Sequence, residues 1–249
     1  MIQCPKSFLF SYGSWGCSYY VGVYKAMVNK WGYNKLNKCA YGGVSSGCII
    51  SLAICLGYPW EYLEKVYLEL SDQAEKYGVM GKMSSYHTKA IDKLLKNKED
   101  YLKVNNRLFL GVTYFYNKFR IISHWENNEE LINTLHAAFH IPYYCTYTQK
   151  IKNNIAIDGA LSMPYFKIDK KTLIIGAMLK PEQGHIVCKP KLSKKDVYKP
   201  SIYKYFIIRD RGYKDMLSWD GVYKTLEKSK QNYIMLSFYW LLRYSEEVL

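Results

Sequence analysis

The sequence predicts an α/β fold, a three-layer α/β/α sandwich around a mainly parallel central sheet. Two observations predict it. Short apolar runs alternate with longer stretches whose apolar residues recur at helical spacing. Strands that alternate with helices in this way pair in parallel, because each helix carries the chain back across the sheet. The 249 residues are enough to bury a core without disulfide or metal staples. No low-complexity linker and no internal repeat divides them, so residues 1–249 are read as one domain.

The elements follow in order. Residues 7–12 (SFLFSY) are a short apolar run before a glycine-containing loop and read as a buried strand. Residues 19–31 (YYVGVYKAMVNKW) are spaced as a helix. Residues 38–43 (KCAYGG) read as a second buried strand, and 46–56 (SGCIISLAICL) as a buried helix stopped by Gly57-Tyr58-Pro59. Pro59 suits the start of the next helix, which runs to about residue 77, because the N–H it lacks would be unpaired there. A further helix is expected over 84–95. Residues 107–114 (RLFLGVTY) and 119–123 (FRIIS) are strand-like, and 126–139 is helical with acidic residues in its first turn, where the helix dipole favours them. Residues 154–157 form a short strand ending at Asp158, and 172–177 (TLIIGA) another. The part from 200 to 249 is expected to be mostly helical, and 189–199 (KPKLSKKDVYK) to be an exposed, mobile basic loop.

Hydrophobic residues make up 49% and charged residues 22% of the chain, a globular composition that excludes general disorder. The longest apolar runs, 48–56 and 234–242, fall far short of the roughly 20 residues that cross a bilayer. The N-terminus (MIQCPK) lacks the charged-then-apolar layout of a signal peptide. A cytoplasmic protein, with peripheral association to a membrane or lipid-droplet surface, is expected. The seven cysteines are scattered, with no CxxC pair, so neither a disulfide framework nor a zinc site is expected. No HExxH and no clustered carboxylates occur either, and no metal or other cofactor is expected. The net charge of +14 points to an anionic partner, membrane headgroups or nucleic acid, or simply to solubility. Residues 150–204 carry twelve lysines against Asp158, Asp169, Glu182 and Asp196. No nucleic-acid-binding motif accompanies the charge, so nucleic acid is set aside.

Gly43-Val44-Ser45-Ser46-Gly47 is a GxSxG, the pattern of a serine held on a sharp strand-to-helix turn. A strand-like run precedes it and an apolar helix follows. That helix would aim backbone N–H groups at an oxyanion formed beside Ser45. The plainer reading is a structural glycine turn. A serine nucleophile needs a base. Of the five histidines, only His185 sits in a loop suited to a triad. The other candidate is Asp158, in Asp158-Gly159-Ala160 at a strand end, where open α/β sheets place their sites. A carboxylate can serve as the base if it is desolvated beside the serine. The loop Tyr12-Gly13-Ser14-Trp15-Gly16-Cys17 is the third piece, a candidate source of oxyanion donors.

These pieces, in this order, resemble the patatin-like phospholipases, most closely the branch containing adipose triglyceride lipase and adiponutrin. The resemblance extends through residues 19–23 (YYVGV), 41–47 (YGGVSSG), 121–125 (IISHW), 139–145 (FHIPYYC), 157–162 (IDGALS) and 211–215 (RGYKD). It implies a patatin-like α/β/α fold and a lipid acyl hydrolase. Ser45 would be the nucleophile and Asp158 the base, with Gly13, Ser14 and Ser46 as oxyanion donors and Gly43 and Gly47 shaping the elbow. It also implies an acyl-enzyme formed on a phospholipid or acylglycerol ester, without histidine. A transacylase would share that intermediate, and a catalytically impaired lipid-binding or scaffold relative is the alternative. The chain departs from the family at Tyr12, Ser14 and Cys17, where glycine is usual. A backbone position with φ > 0 there would penalise Tyr or Cys. Losing one donor costs on the order of 100- to 1,000-fold in rate. Trp15, Tyr19, Tyr20, Trp60, Tyr143 and Tyr144 are read either as an acyl channel or interfacial rim or as ordinary core.

Overall fold

The computed structural model describes residues 2–114, 118–142, 144–146 and 149–227. The chain folds as α/β, with a mixed, mostly parallel sheet flanked by helices, consistent with the three-layer sandwich. The strands are β1 (Ser7–Phe10), β2 (Ala40–Val44), β3 (Leu108–Tyr114), β4 (Lys118–Ile122), β5 (Gln149–Ile151), β6 (Asn154–Asp158), β7 (Leu173–Gly176) and β8 (Ile186–Val187). The helices are α1 (Ser18–Trp31), α2 (Tyr33–Leu36), α3 (Gly47–Cys55), α4 (Trp60–Tyr77), α5 (Met83–Leu94), α6 (Asp100–Val104), α7 (Asn128–Ala138), α8 (Lys194–Tyr198) and α9 (Ile202–Leu217).

β1 is buried along its whole length, as a central strand covered on both faces must be. Phe8 and Phe10 face the main core, together with Tyr20 and Leu52 of the helices and Leu108, Leu110 and Val112 of β3. Leu9 faces the other way, into a smaller core with Tyr165, Phe166, Ile174 and Leu179. This alternation is the period of two that a strand imposes.

The sheet has eight strands, connected in the order β5-β6-β3-β2-β1-β7-β8, with β4 also on β3. β1 pairs in parallel with β2 and β7, and β2 pairs in parallel with β3. β3 sets the geometry of the site. Along it, β2 pairs with the lower rungs, ending at Val44↔Gly111. β6 pairs antiparallel with the upper rungs, ending at Val112↔Asp158. β4 pairs with residues 110–114, overlapping both sets. It therefore occupies the opposite edge, and β2 and β6 meet end to end on one edge of β3.

One expectation is corrected. The 189–199 segment is not wholly loop. Ser193 and Asp196 form a capping box that starts α8, and Leu192 and Val197 are buried. These anchors organise a run whose lysines suggested a solvated coil. From residue 200 onward, α9 covers residues 202–217, and residues 218–227 are outside any helix. The remainder of the expected helical part, 228–249, lies outside the described residues. No helix among the described residues is long and apolar enough to cross a membrane.

Candidate active site

Ser45 follows directly on β2 and precedes α3. Its φ is +54°, left-handed backbone that a non-glycine residue adopts only when its surroundings force it. The flanking glycines show the force. A Cβ on Gly47 would lie 2.0 Å from the Phe10 carbonyl oxygen, and one on Gly43 would lie 2.4 Å from the Cys48 Cα. The turn is thus pressed against β1 on one side and against its own helix on the other. Only glycine permits both approaches, and Ser45 takes the strain between them.

Asp158 ends β6 one rung along β3 from Val44. The shared edge brings two residues from distant parts of the chain together. Asp158 is 1% exposed. Its Oδ1 accepts the Ala160 amide at 2.8 Å, and its own amide donates to the His140 carbonyl at 3.0 Å, which fixes the backbone and one oxygen of the carboxyl. Burial pushes it up to about 7, against the Ser45 hydroxyl and the Ala160 amide, which favour the charged form. The other oxygen, Oδ2, has no partner of full hydrogen-bond geometry among the described residues. Catalytic hydrogen bonds are often loose before substrate binds.

The loop after β1 enters a 3₁₀ turn, Ser14–Cys17. Gly13 is extended there, at φ −178°. Within residues 12–17, Ser14 alone has positive φ, at 45°, while Cys17 is right-handed at −64°. Tyr12 and Cys17 therefore incur no left-handed penalty, and the departures from glycine leave the backbone unstrained except at Ser14. Among the described residues, no hydrogen bond engages the amides of Gly13, Ser14 or Ser46. The loop is buttressed from behind. The Tyr20 hydroxyl donates to the Ser11 and Tyr12 carbonyls and accepts the Ala177 amide. The Tyr67 hydroxyl donates to the Trp15 carbonyl.

Ser14, Ser45 and Ser46 line one cavity of about 100 Å³. Its other walls are apolar, built from Leu63, Val66 and Leu70 of α4, Met83 and Ala90 of α5, and Phe139 and Ile141 after α7. His87 also lines it, and the sequence reading gave that residue no role. Burial first, then His136 and His140, lower it to about 3, so it stays neutral as part of the wall.

The remaining candidates separate cleanly. His185 is no base for Ser45. Its Nδ1 accepts the Ile174 amide at 3.0 Å, it packs on Tyr223, and burial foremost lowers it to about 4. The aromatics divide between the two readings. Trp15 and Tyr144 line the cavity, joined by a hydrogen bond from the indole N–H to the phenol oxygen at 3.1 Å. Tyr19 and Tyr20 are core at 0% exposure, and Trp60 sits under the Lys25 ammonium. Tyr143 lies outside the described residues. No group of three or more His, Cys, Asp or Glu among the described residues could hold a metal ion. The chain matches no protein-family model and no curated protein.

Proposed function

We propose that the protein is a lipid acyl hydrolase of the patatin-like kind, cleaving a carboxylic ester through Ser45 and Asp158. One observation carries the reading. A strained, buried serine stands beside a buried carboxyl poised near neutrality, at the wall of an apolar cavity. Asp158, ionised, accepts the Ser45 proton as Oγ attacks the ester carbonyl. The amides of Gly13, Ser14 and Ser46 are the donors assigned to the oxyanion. The alcohol leaves with the proton held on Asp158. Water, deprotonated by the same carboxylate, attacks the acyl-enzyme, and Asp158 returns that proton to the Ser45 oxygen as the fatty acid leaves. The apolar walls suit an acyl chain. The unstrained backbone at Tyr12 and Cys17 supports an active enzyme over an impaired relative.

The test is labelling with a fluorophosphonate probe, followed by hydrolysis of a panel of phospholipids and acylglycerols. Wild type is expected to label, and Ser45→Ala not to. A folded wild-type protein that neither labels nor hydrolyses any ester on the panel would overturn the reading.

A further inference from the structure

We propose that α8 and the first turns of α9 form the face on which the protein docks to an anionic phospholipid surface. The inference goes beyond the Ser45 reading and can be tested without catalysis. Tyr203, Phe206 and Ile207 lie at positions i, i+3 and i+4 of α9 and share one side of it. They are 79%, 42% and 42% exposed. The opposite side of α9, with Tyr205, Ile208 and Gly212, is buried. Tyr198, at the end of α8, is 51% exposed. α4 runs antiparallel beside α9, since Glu64 accepts from Tyr205 and Arg209 while Glu75 accepts the Ile202 amide. The exposed Tyr77 and Met80 therefore sit at the same end as Tyr203. Exposed aromatics gathered at one end of a molecule suit the interfacial zone of a bilayer.

The charge around them is basic. Lys191, Lys194, Lys195 and Lys199 are exposed. No ion pair engages them among the described residues. Lys195, Lys199, Lys204 and Ser201 line a surface pocket of about 390 Å³ with Glu75 and Pro200. Of the nearby carboxylates, Asp196 is paired with Lys204, while Glu75 accepts the Ile202 amide and is the one acidic side chain lining the pocket, against three lysines. Unpaired lysines beside exposed aromatics complement anionic phosphate headgroups above an apolar layer. The face also adjoins the catalytic loop. Leu192 packs on Gly16, where a Cβ would lie 2.7 Å from its Cδ1. Tyr144 of the cavity wall donates to the Tyr198 carbonyl at 3.1 Å. Docking here would hold the loop and its cavity at the lipid surface.

The experiment is co-sedimentation with vesicles of phosphatidylcholine alone and of phosphatidylcholine with phosphatidylserine. Wild type is expected to bind the anionic vesicles and to lose binding as salt rises. Reversing Lys194, Lys195 and Lys199 to Glu together should weaken binding by roughly 100-fold or more, from about fivefold per lysine. Tyr203→Ser with Phe206→Ser should weaken it while keeping the preference for phosphatidylserine. Lys35→Glu with Lys38→Glu and Lys118→Glu, exposed elsewhere, should leave it nearly unchanged. Absence of wild-type binding, equal binding to both vesicles, or equal losses in the two lysine sets would overturn the proposal. Ser45→Ala should bind as wild type does. Intact binding by a protein that hydrolyses no ester would sink the hydrolase reading and leave the docking face standing. Hydrolysis of a soluble short-chain ester should be the same in the α8 lysine variant as in wild type, so a docking failure is not mistaken for a catalytic one.

Discussion

The proposed dyad gives its most direct prediction through Asp158. The carboxyl must be ionised to accept the Ser45 proton, and burial raises it to about 7. The rate of soluble-ester hydrolysis should therefore rise with pH through about 7 and then level, whereas an ordinary carboxylate would be fully ionised well below that. His87 lines the same cavity but is lowered to about 3, so His87→Leu should leave the midpoint in place. A midpoint that vanished in His87→Leu would reassign the base. Ser45→Ala and Asp158→Asn should each lower turnover by roughly 10⁴-fold or more, the scale on which serine hydrolases lose activity when one member of a catalytic unit is removed. Retained turnover in either variant counts against the dyad. Both residues were legible in the sequence, because a serine between glycines and an aspartate before a glycine are visible in one dimension. The buttressing tyrosines were not. Tyr67 sits on α4 and reaches the Trp15 carbonyl, a contact that helical periodicity cannot announce.

At the level of elements, close backbone approach is the device that joins site to scaffold. A Cβ on Gly47 would meet the Phe10 carbonyl oxygen, so Gly47→Ala should displace the elbow and abolish fluorophosphonate labelling. Far from the site, a Cβ on Gly22 of α1 would lie 1.7 Å from the Arg209 carbonyl oxygen of α9. Alanine favours helices by about 1 kcal/mol over glycine, but here it would push two helices apart. Gly22→Ala should thus destabilise the fold by roughly 1–3 kcal/mol, read from denaturant unfolding. A stabilised variant would show that α1 and α9 do not pack this closely. The strands that carry apolar runs into glycine turns, β1 and β2, were readable for that reason. The β5–β6 hairpin was not. Its two-residue turn, Lys152-Asn153, has φ of 46° and 64°, the geometry of a type I′ turn that Asn-Gly would have advertised. Nor could the sequence show that β2 and β6 share an edge of β3. The sequence nominated Ser45 and Asp158 separately, and this pairing brings them together.

For the whole molecule, the proposed base, Asp158, works against the stability of the fold. Below about pH 4, Asp158 is protonated in both folded and unfolded chains. As pH rises toward 7, the unfolded chain loses that proton while the folded one keeps it, so stability falls over this window and then stays lower. The cost at pH 8 is on the order of 4 kcal/mol. His87 acts with the opposite sign. It is neutral in the folded protein down to about 3, so its contribution is present above about 6.5 and is lost as pH falls from there. Between roughly pH 4 and 6.5 the two terms oppose, and wild-type stability should change little as far as these groups set it. Asp158→Asn removes one side of the balance. It should melt higher than wild type at pH 8, by a few degrees after the penalty of an imperfectly paired buried amide. Its stability should then decline as the medium is acidified, until the advantage is gone near pH 4. Thermal unfolding of both proteins across this range measures it. An Asp158→Asn protein that melts no higher than wild type at pH 8 would mean that the carboxylate is solvated in the folded state, and that its midpoint near 7 must be sought in another group.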